Sequence, residues 1–261
     1  MTRYAAGVEY VGTGFSGWQA LAGRRTVQAE LERALSTVAA HALAVTAAGR
    51  TDAGVHAVQQ VLHFDSTAER SDYAWLLGAN SQLPADVGLR WIRPVDRRFH
   101  ARHSAVRRRY RYVIHNHRAR SALLHAGSGW WPQRLDATAM HAAAQALIGE
   151  HDFSSFRDSQ CQSPTPMRRL DAIAVRRHGD RVVVDVCGNA FLHHMVRNIV
   201  GTLALVGLGK QPTSWVAELL SQRDRRLAGM TAPAGGLYFV GPEYPAEFGL
   251  PAPPALVFPP V

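Results

Sequence analysis

The chain has 261 residues, 47% of them hydrophobic and 19% charged, enough for one large or two small domains with a sizeable core. Its 29 Lys plus Arg against 20 Asp plus Glu give a net charge of +9, and Lys210 is the only lysine, so the basic excess is arginine, which forks onto phosphate and stacks on bases. A GC-rich genome would account for arginine replacing lysine, but not for the net charge. Cys161 and Cys187 are too few and too isolated for a disulfide framework or a Cys-based zinc site. The apolar run 199–208 is too short and glycine-broken to span a bilayer, and the start MTRYAAGVEY lacks a signal-peptide core, so a cytoplasmic protein without a membrane partner is expected.

In chain order, RYAAGVEYV (3–11) reads as a strand, and Thr26 caps a helix VQAELERALSTVA whose Val27, Leu31, Ala34, Leu35 and Val38 fall at helical spacing. ALAVTAAG and VQQVLHFDS read as strands on either side of the turn GRTDAG. A short helix around Asp72–Gly78 and a strand around Gly88–Val95 follow. The second half repeats the order. AVRRRYRYVIHN is a strand, LDATAMHAAAQALIG a helix, and RRLDAIAVRR and RVVVDVCG form a hairpin through His178-Gly179-Asp180. FLHHMVRNIVGTLALVG and TSWVAELLSQ are helices, and GLYFVGPEY closes as a strand. The expected fold is therefore α+β. It comprises two tandem ferredoxin-like (RRM-like) β-α-β-β-α-β units, with mainly antiparallel sheets flanked by helices and an active-site cleft between them. The repeat rests on element order, since the halves share no sequence identity. The division expected is 1–104, 105–245 and a proline-rich tail, 246–261, extended and not independently folded.

Four stretches carry chemistry. In GRTDAG the glycines allow a tight turn at a strand end, presenting Arg50 and Asp52; the bland alternative is an Asx turn in which Asp52 only bonds backbone. In FHARHSAVRRRYRY (99–112) basic and aromatic residues alternate. Arg107, Arg109 and Arg111 would face one side as phosphate-binding charge, while Arg108, Tyr110 and Tyr112 would make a base-stacking face on the other. The alternative is a solvated edge strand guarded by arginine. In GNAFLHHMVRNIVG (188–201) a broad apolar face leaves His194, Arg197 and Asn198 away from its centre, so a buried helix with Arg197 snorkelling to water is the default. His193-His194 has neither a carboxylate cluster nor a His-x-x-x-His spacing beside it, and no metal is expected. The loop DFSSFRDSQCQSPTPMRR (152–169) is polar and basic, suited to gripping a substrate.

Taken together, GRTDAGVHA, RRRYRY and GNAFLHHMVRNIVG resemble the tRNA pseudouridine synthase A family, with VEYVGTGFSGWQ, FHAR, DFSSFR and GLYFV extending the resemblance over residues 3–245. It implies a homodimeric isomerase without cofactor or metal that converts uridine to pseudouridine at positions 38, 39 and 40 of the tRNA anticodon stem-loop. By that resemblance Asp52 is the essential nucleophile, Arg197 its arginine partner, and Tyr110 the ring that packs on the target base. Arg50 and Arg70 match RNA-touching positions, Arg50 being associated with base flipping. Phe99, His100, Ala101, Arg102 and His103 match one tRNA-contacting segment, and Gln160, Cys161, Gln162, Ser163 and Pro164 another. The sequence departs from the family pattern at His103, where an aromatic is expected, and at Pro164, where a basic residue is expected. The competing class is a non-catalytic RNA-binding protein of two RRM-like units, which would carry RNP-type aromatic motifs that are not found here. A metal-dependent nuclease would need clustered carboxylates.

Overall fold

The computed structural model describes residues 1–253, which divide into two compact units: Met1–Val106 with the returning chain from Tyr238, and Arg107–Leu237. The first unit runs β1 (Thr2–Tyr10), α1 (Val27–Ala39), β2 (Thr46–Ala47), β3 (His56–Ser66), α2 (Asp72–Gln82) and β4 (Val87–Pro94). Strand β1 lies between β3 and β4, antiparallel to both, and β2 pairs antiparallel with β3. Residues 4–8 of β1 are all buried, because both faces of the sheet are covered. On one face Tyr4 stacks on its register partner Phe64 at 5.5 Å, and Trp75 of α2 packs on both rings. On the other, Ala5 and Val61 cluster with Phe99 and Ala101.

Two caps differ from expectation in instructive ways. Thr26 does sit at the start of α1, but its side chain makes no capping bond and its buried hydroxyl lacks a partner. Ser71 caps α2 instead through Ala74 N–H, and that helix continues to Gln82, beyond the Gly78 end expected for it.

The second unit runs β5 (Arg107–His115), β6 (Gly129–Trp130), α3 (Ala137–Ala144), β7 (Gly149–Asp152), β8 (Met167–His178), β9 (Arg181–Gly188), α4 (Met195–Gly207) and α5 (Trp215–Gln222). Its strands follow the order β5-β9-β8-β7, antiparallel throughout, with β6 parallel to the end of β5. Asp136 starts α3 by accepting the Thr138 and Ala139 N–H groups, so Leu135 lies outside the helix and is buried beneath it. Strands β6 and β7 were not read from the sequence. They are short and gain their order only from their neighbours.

The closing strand β10 (Leu237–Glu243) runs parallel to β3 through Tyr238–His56 and Phe239–Ala57. From Tyr238 to Pro253 the chain thus belongs to the first unit, whereas the sequence division at 245 keeps this strand with the second. The described part of the tail also packs. Phe248 and Leu250 cover the Phe99 cluster, Gln59 Nε2 donates to the Pro251 carbonyl, and Arg93 Nη1 donates to the Gly249 carbonyl. The rest of the proline-rich segment, 254–261, lies outside the described residues. No helix among the described residues is long and apolar enough to cross a membrane. The architecture is α+β with mostly antiparallel pairing.

Candidate functional site

In the first unit, Asp52 opens a turn that a main-chain bond closes. Val55 N–H donates to the Asp52 carbonyl at 3.2 Å, and Gly54 takes φ +80°, where L side chains are strained. The turn is braced from behind by β1 and the loop after it. Thr51 is buried and its Oγ1 meets the Tyr10 hydroxyl at 2.8 Å, while the Thr51 carbonyl accepts Trp18 N–H at 3.0 Å. Gly12 N–H donates to His56 Nδ1 at 3.1 Å, and a Cβ at Gly12 would lie 2.0 Å from the Val55 carbonyl oxygen, so only glycine allows this approach. Burial pushes the Tyr10 phenol up to about 12, outweighing the hydrogen bonds from Thr51 and Gln60, so this brace stays neutral. Asp52 itself is half-buried and Arg50 exposed. Tyr10, Thr51 and His56 were not singled out from sequence, because nothing in their spacing links positions 10 and 51.

The segment 99–103 splits in two. Phe99 and Ala101 are completely buried, so their side chains belong to the core. Phe99 packs edge-on against Tyr244 and Phe248, and the Ala101 carbonyl accepts the Tyr244 hydroxyl at 2.7 Å. His100, Arg102 and His103 remain on the surface side, with the His100 and His103 rings 4.3 Å apart. Behind them, buried His63 accepts Ala101 N–H through Nδ1 at 3.1 Å. Burial lowers His63 to about 4, with the charges of Arg3 and His100 adding to the effect. Arg70 is exposed just ahead of α2.

In the second unit, β5 does not present two open faces. Arg107 bonds Asp171 at 3.1 Å and Arg111 bonds Asp185 at 2.6 Å, so these arginines neutralise acids of β8 and β9. Tyr112 is fully buried, donates its hydroxyl to the Pro233 carbonyl at 2.8 Å, and is pushed well above the ordinary phenol range by burial. That leaves Tyr110 as the half-buried ring of the motif, edge-to-face with Phe191 at 4.9 Å.

Helix α4 starts at Met195, not at Phe191. His194 stands before it in the left-handed region, φ +59°, which a helix interior cannot accommodate. Arg197 does not simply snorkel: its Nε donates to the Ala232 carbonyl at 2.8 Å, and Ala232 N–H donates back to the Arg197 carbonyl at 3.1 Å, which orients the guanidinium. Asn198, expected away from the centre of the apolar face, is completely buried and donates to the Phe156 carbonyl while accepting from Arg225 and Thr231. The neighbourhood of the two histidines also contains the carboxylate that the sequence did not reveal. Asp158 lies 2.7 Å from His194 Nδ1 and 3.5 Å from His193 Nδ1. Burial pushes the Asp158 carboxyl up, but Gln160 N–H, the His194 bond and the charges of both histidines outweigh it and hold it below the usual carboxylate range.

The loop 152–169 is shaped from within, since Arg157 Nη2 donates to the carbonyls of Cys161 at 2.7 Å and Ser163 at 2.8 Å. Gln160, Gln162 and Pro164 are exposed, and Cys161 and Ser163 half-buried.

A model of the tRNA pseudouridine synthase family matches residues 6–104 and 143–245. A protein named tRNA pseudouridine synthase A from Aeromonas hydrophila is 55% identical over 252 residues, covering 97% of this chain and 94% of its own length. Its namesakes from Cronobacter sakazakii and Methylococcus capsulatus are 56% and 55% identical, over 97% and 95% of this chain and 94% and 92% of theirs. The chain therefore belongs to the tRNA pseudouridine synthase A family of isomerases.

Proposed function

We propose that this isomerase converts uridine to pseudouridine at positions 38, 39 and 40 of the tRNA anticodon stem-loop, with Asp52 as its essential nucleophile. The observation that carries the reading is the Asp52 turn, which Val55 N–H closes on the Asp52 carbonyl and the Tyr10–Thr51 hydroxyl pair braces, so that main chain and neutral groups fix where the carboxylate stands. The reaction breaks the N1–C1′ bond, turns the uracil while it stays bound, and joins C5 to C1′. C5 gives up its proton and N1 ends protonated, so atoms balance without a cofactor. Attack by Asp52 at C1′ or at C6, and a glycal route through C2′ deprotonation, each need an ionised carboxylate beside the base. Desolvation by a bound nucleotide would oppose that ionisation, and a guanidinium counteracts it. Arg197, oriented by Ala232, is assigned that part. Tyr110 is assigned the place of a stacking partner once the uridine leaves the helix, and Arg50 the flipping. Arg70, His100, Arg102, His103 and the loop 160–164 are assigned to the RNA backbone.

The reading extends to two tandem ferredoxin-like units, to a homodimer, and to action in the cytoplasm. The antiparallel β4-β1-β3 order with β2 beyond β3 supports the first of these. The test is incubation with an unmodified tRNA transcript in EDTA, followed by carbodiimide mapping, since the product has the mass of its substrate. Pseudouridine at 38–40 without strand cleavage is expected. Modification only outside the anticodon arm would overturn the site assignment.

A further inference from the structure

His194 has a conformation that calls for a cause. It takes φ +59° immediately before α4, and its carbonyl accepts the first helical bond, from Asn198 N–H at 2.9 Å. Outside glycine such a residue is held there by something, and here the partner is visible. His194 Nδ1 lies 2.7 Å from Asp158 Oδ2, and the His193 ring stacks on it at 3.9 Å with its own Nδ1 3.5 Å from Asp158 Oδ1. The main chains are joined at the same place. Asp158 N–H donates to the His193 carbonyl at 3.2 Å, and His193 N–H donates to Cys161 Sγ at 3.4 Å. Asp158 also gathers its own loop, since Oδ1 accepts Gln160 N–H at 2.8 Å. One carboxylate thus holds both the loop that leads into 160–164 and the first turn of α4. Three residues beyond His194 stands Arg197, whose guanidinium is fixed at the other side by Ala232.

We infer that His194 is a positioning residue, and that its bond to Asp158 sets the start of α4 and so the placing of Arg197, coupling that arginine to the conformation of the 158–164 loop. The inference rests on the assignment of Arg197 to the reaction made above. A carboxylate–imidazole bond suits the task because it is short, directional and reinforced by charge when the ring is protonated. What the latch sets is the position of the guanidinium, whose fixed fork makes its contacts sensitive to placement.

The test uses the full-length enzyme and tRNA transcript, with single-turnover rates, tRNA affinity and thermal stability measured for each protein. His194→Gly adopts the left-handed conformation without strain, so the backbone keeps its shape while the latch is lost. The rate constant should fall about tenfold to a hundredfold, the cost of a small misplacement near reacting groups, with affinity changed by no more than about threefold. Asp158→Asn, nearly isosteric, should lower the rate similarly. The double variant should be no slower than the slower single, because His194→Gly removes, and Asp158→Asn strips of its charge, one and the same bond. A wild-type rate in the folded Gly variant would overturn the inference, as would additive losses in the double variant. Should His194→Gly fail to fold, the Asp158→Asn rate decides alone. A wild-type enzyme that forms no pseudouridine would count against the proposed function, separately from the latch.

Discussion

The Asp52 turn and the start of α4 are both sharp bends that present a side chain assigned above to the reaction, yet they are held by different kinds of group. Behind Asp52 stand a Thr–Tyr hydroxyl pair, backbone N–H groups and an imidazole nitrogen that accepts a bond. Before Arg197 stands a carboxylate with two imidazoles around it. The difference follows from what each presented group must keep. A carboxylate's ionisation is easily shifted by a charge beside it, and the braces behind the Asp52 turn act through uncharged donors and acceptors. A guanidinium stays protonated in almost any surroundings, so its support can be ionic.

Removing the charge from the first region alone is the most severe way to test this contrast. Asp52→Asn keeps the size of the side chain and every main-chain bond of the turn, so stability should stay within about 0.5 kcal/mol of wild type. Pseudouridine formation should fall below detection while tRNA binding persists. Asp52→Glu should fail as well, because one added methylene displaces the carboxylate beyond what reacting geometry tolerates. Urea unfolding and tritium release from C5-labelled tRNA measure both quantities. Turnover by the Asn protein would return Asp52 to a structural role, and a large loss of stability would show that its side chain, not the backbone, holds the bend.

Acid should separate the two units next. His63 accepts Ala101 N–H through Nδ1, a bond that protonation of that nitrogen destroys. Its folded pKa, about 4, lies below the ordinary 6.5. Between those values the unfolded chain binds more protons, so this contribution is complete above about pH 6.5 and is lost as pH falls towards 4. The loss should reach no more than about 2 kcal/mol once solvent screening is allowed for. Asp158 is also lowered, so its contribution survives through that window and fades only below the usual carboxylate range. Hydrogen exchange between pH 6.5 and 4.5 should therefore open β3 and the 99–103 segment before β8, β9 or α4. The opposite order would reverse the comparison.

How much of this was legible in the sequence depends on how local the cause is. The periodic helices, the β8–β9 hairpin and the GRTDAG turn were readable because their residues carry their own reasons, such as Gly54 at positive φ. The start of α4 was not, since the apolar period continues through Phe191 and Leu192 and the break depends on Asp158, 36 residues away. Tyr110 and Tyr112 share one alternation, and only the distant Pro233 carbonyl explains why the second is core. Phe99 and Ala101 looked like part of a basic surface until residues 244–250 covered them. The candidate residues were thus nameable from motifs, but the groups that hold them were not.

The smallest expected effect probes a single neutral brace. Tyr10→Phe keeps the ring, which packs 6.1 Å from Trp18, and removes only the hydroxyl shared with Thr51. Stability should fall by about 1 kcal/mol, the usual net worth of one buried hydrogen bond, because the Thr51 hydroxyl is left buried without that partner. The rate constant should fall about threefold with tRNA affinity unchanged, since the turn loosens without losing its charge. The companion Tyr10→Phe/Thr51→Val protein separates the two consequences. Replacing both partners by apolar groups of like shape removes the unsatisfied hydroxyl, so most of the lost stability should return. The rate should not return with it, because nothing then ties Thr51 to β1. A double variant that recovers stability and rate together would mean that the hydroxyl pair only stabilises the fold, and that the remaining main-chain braces suffice to aim Asp52.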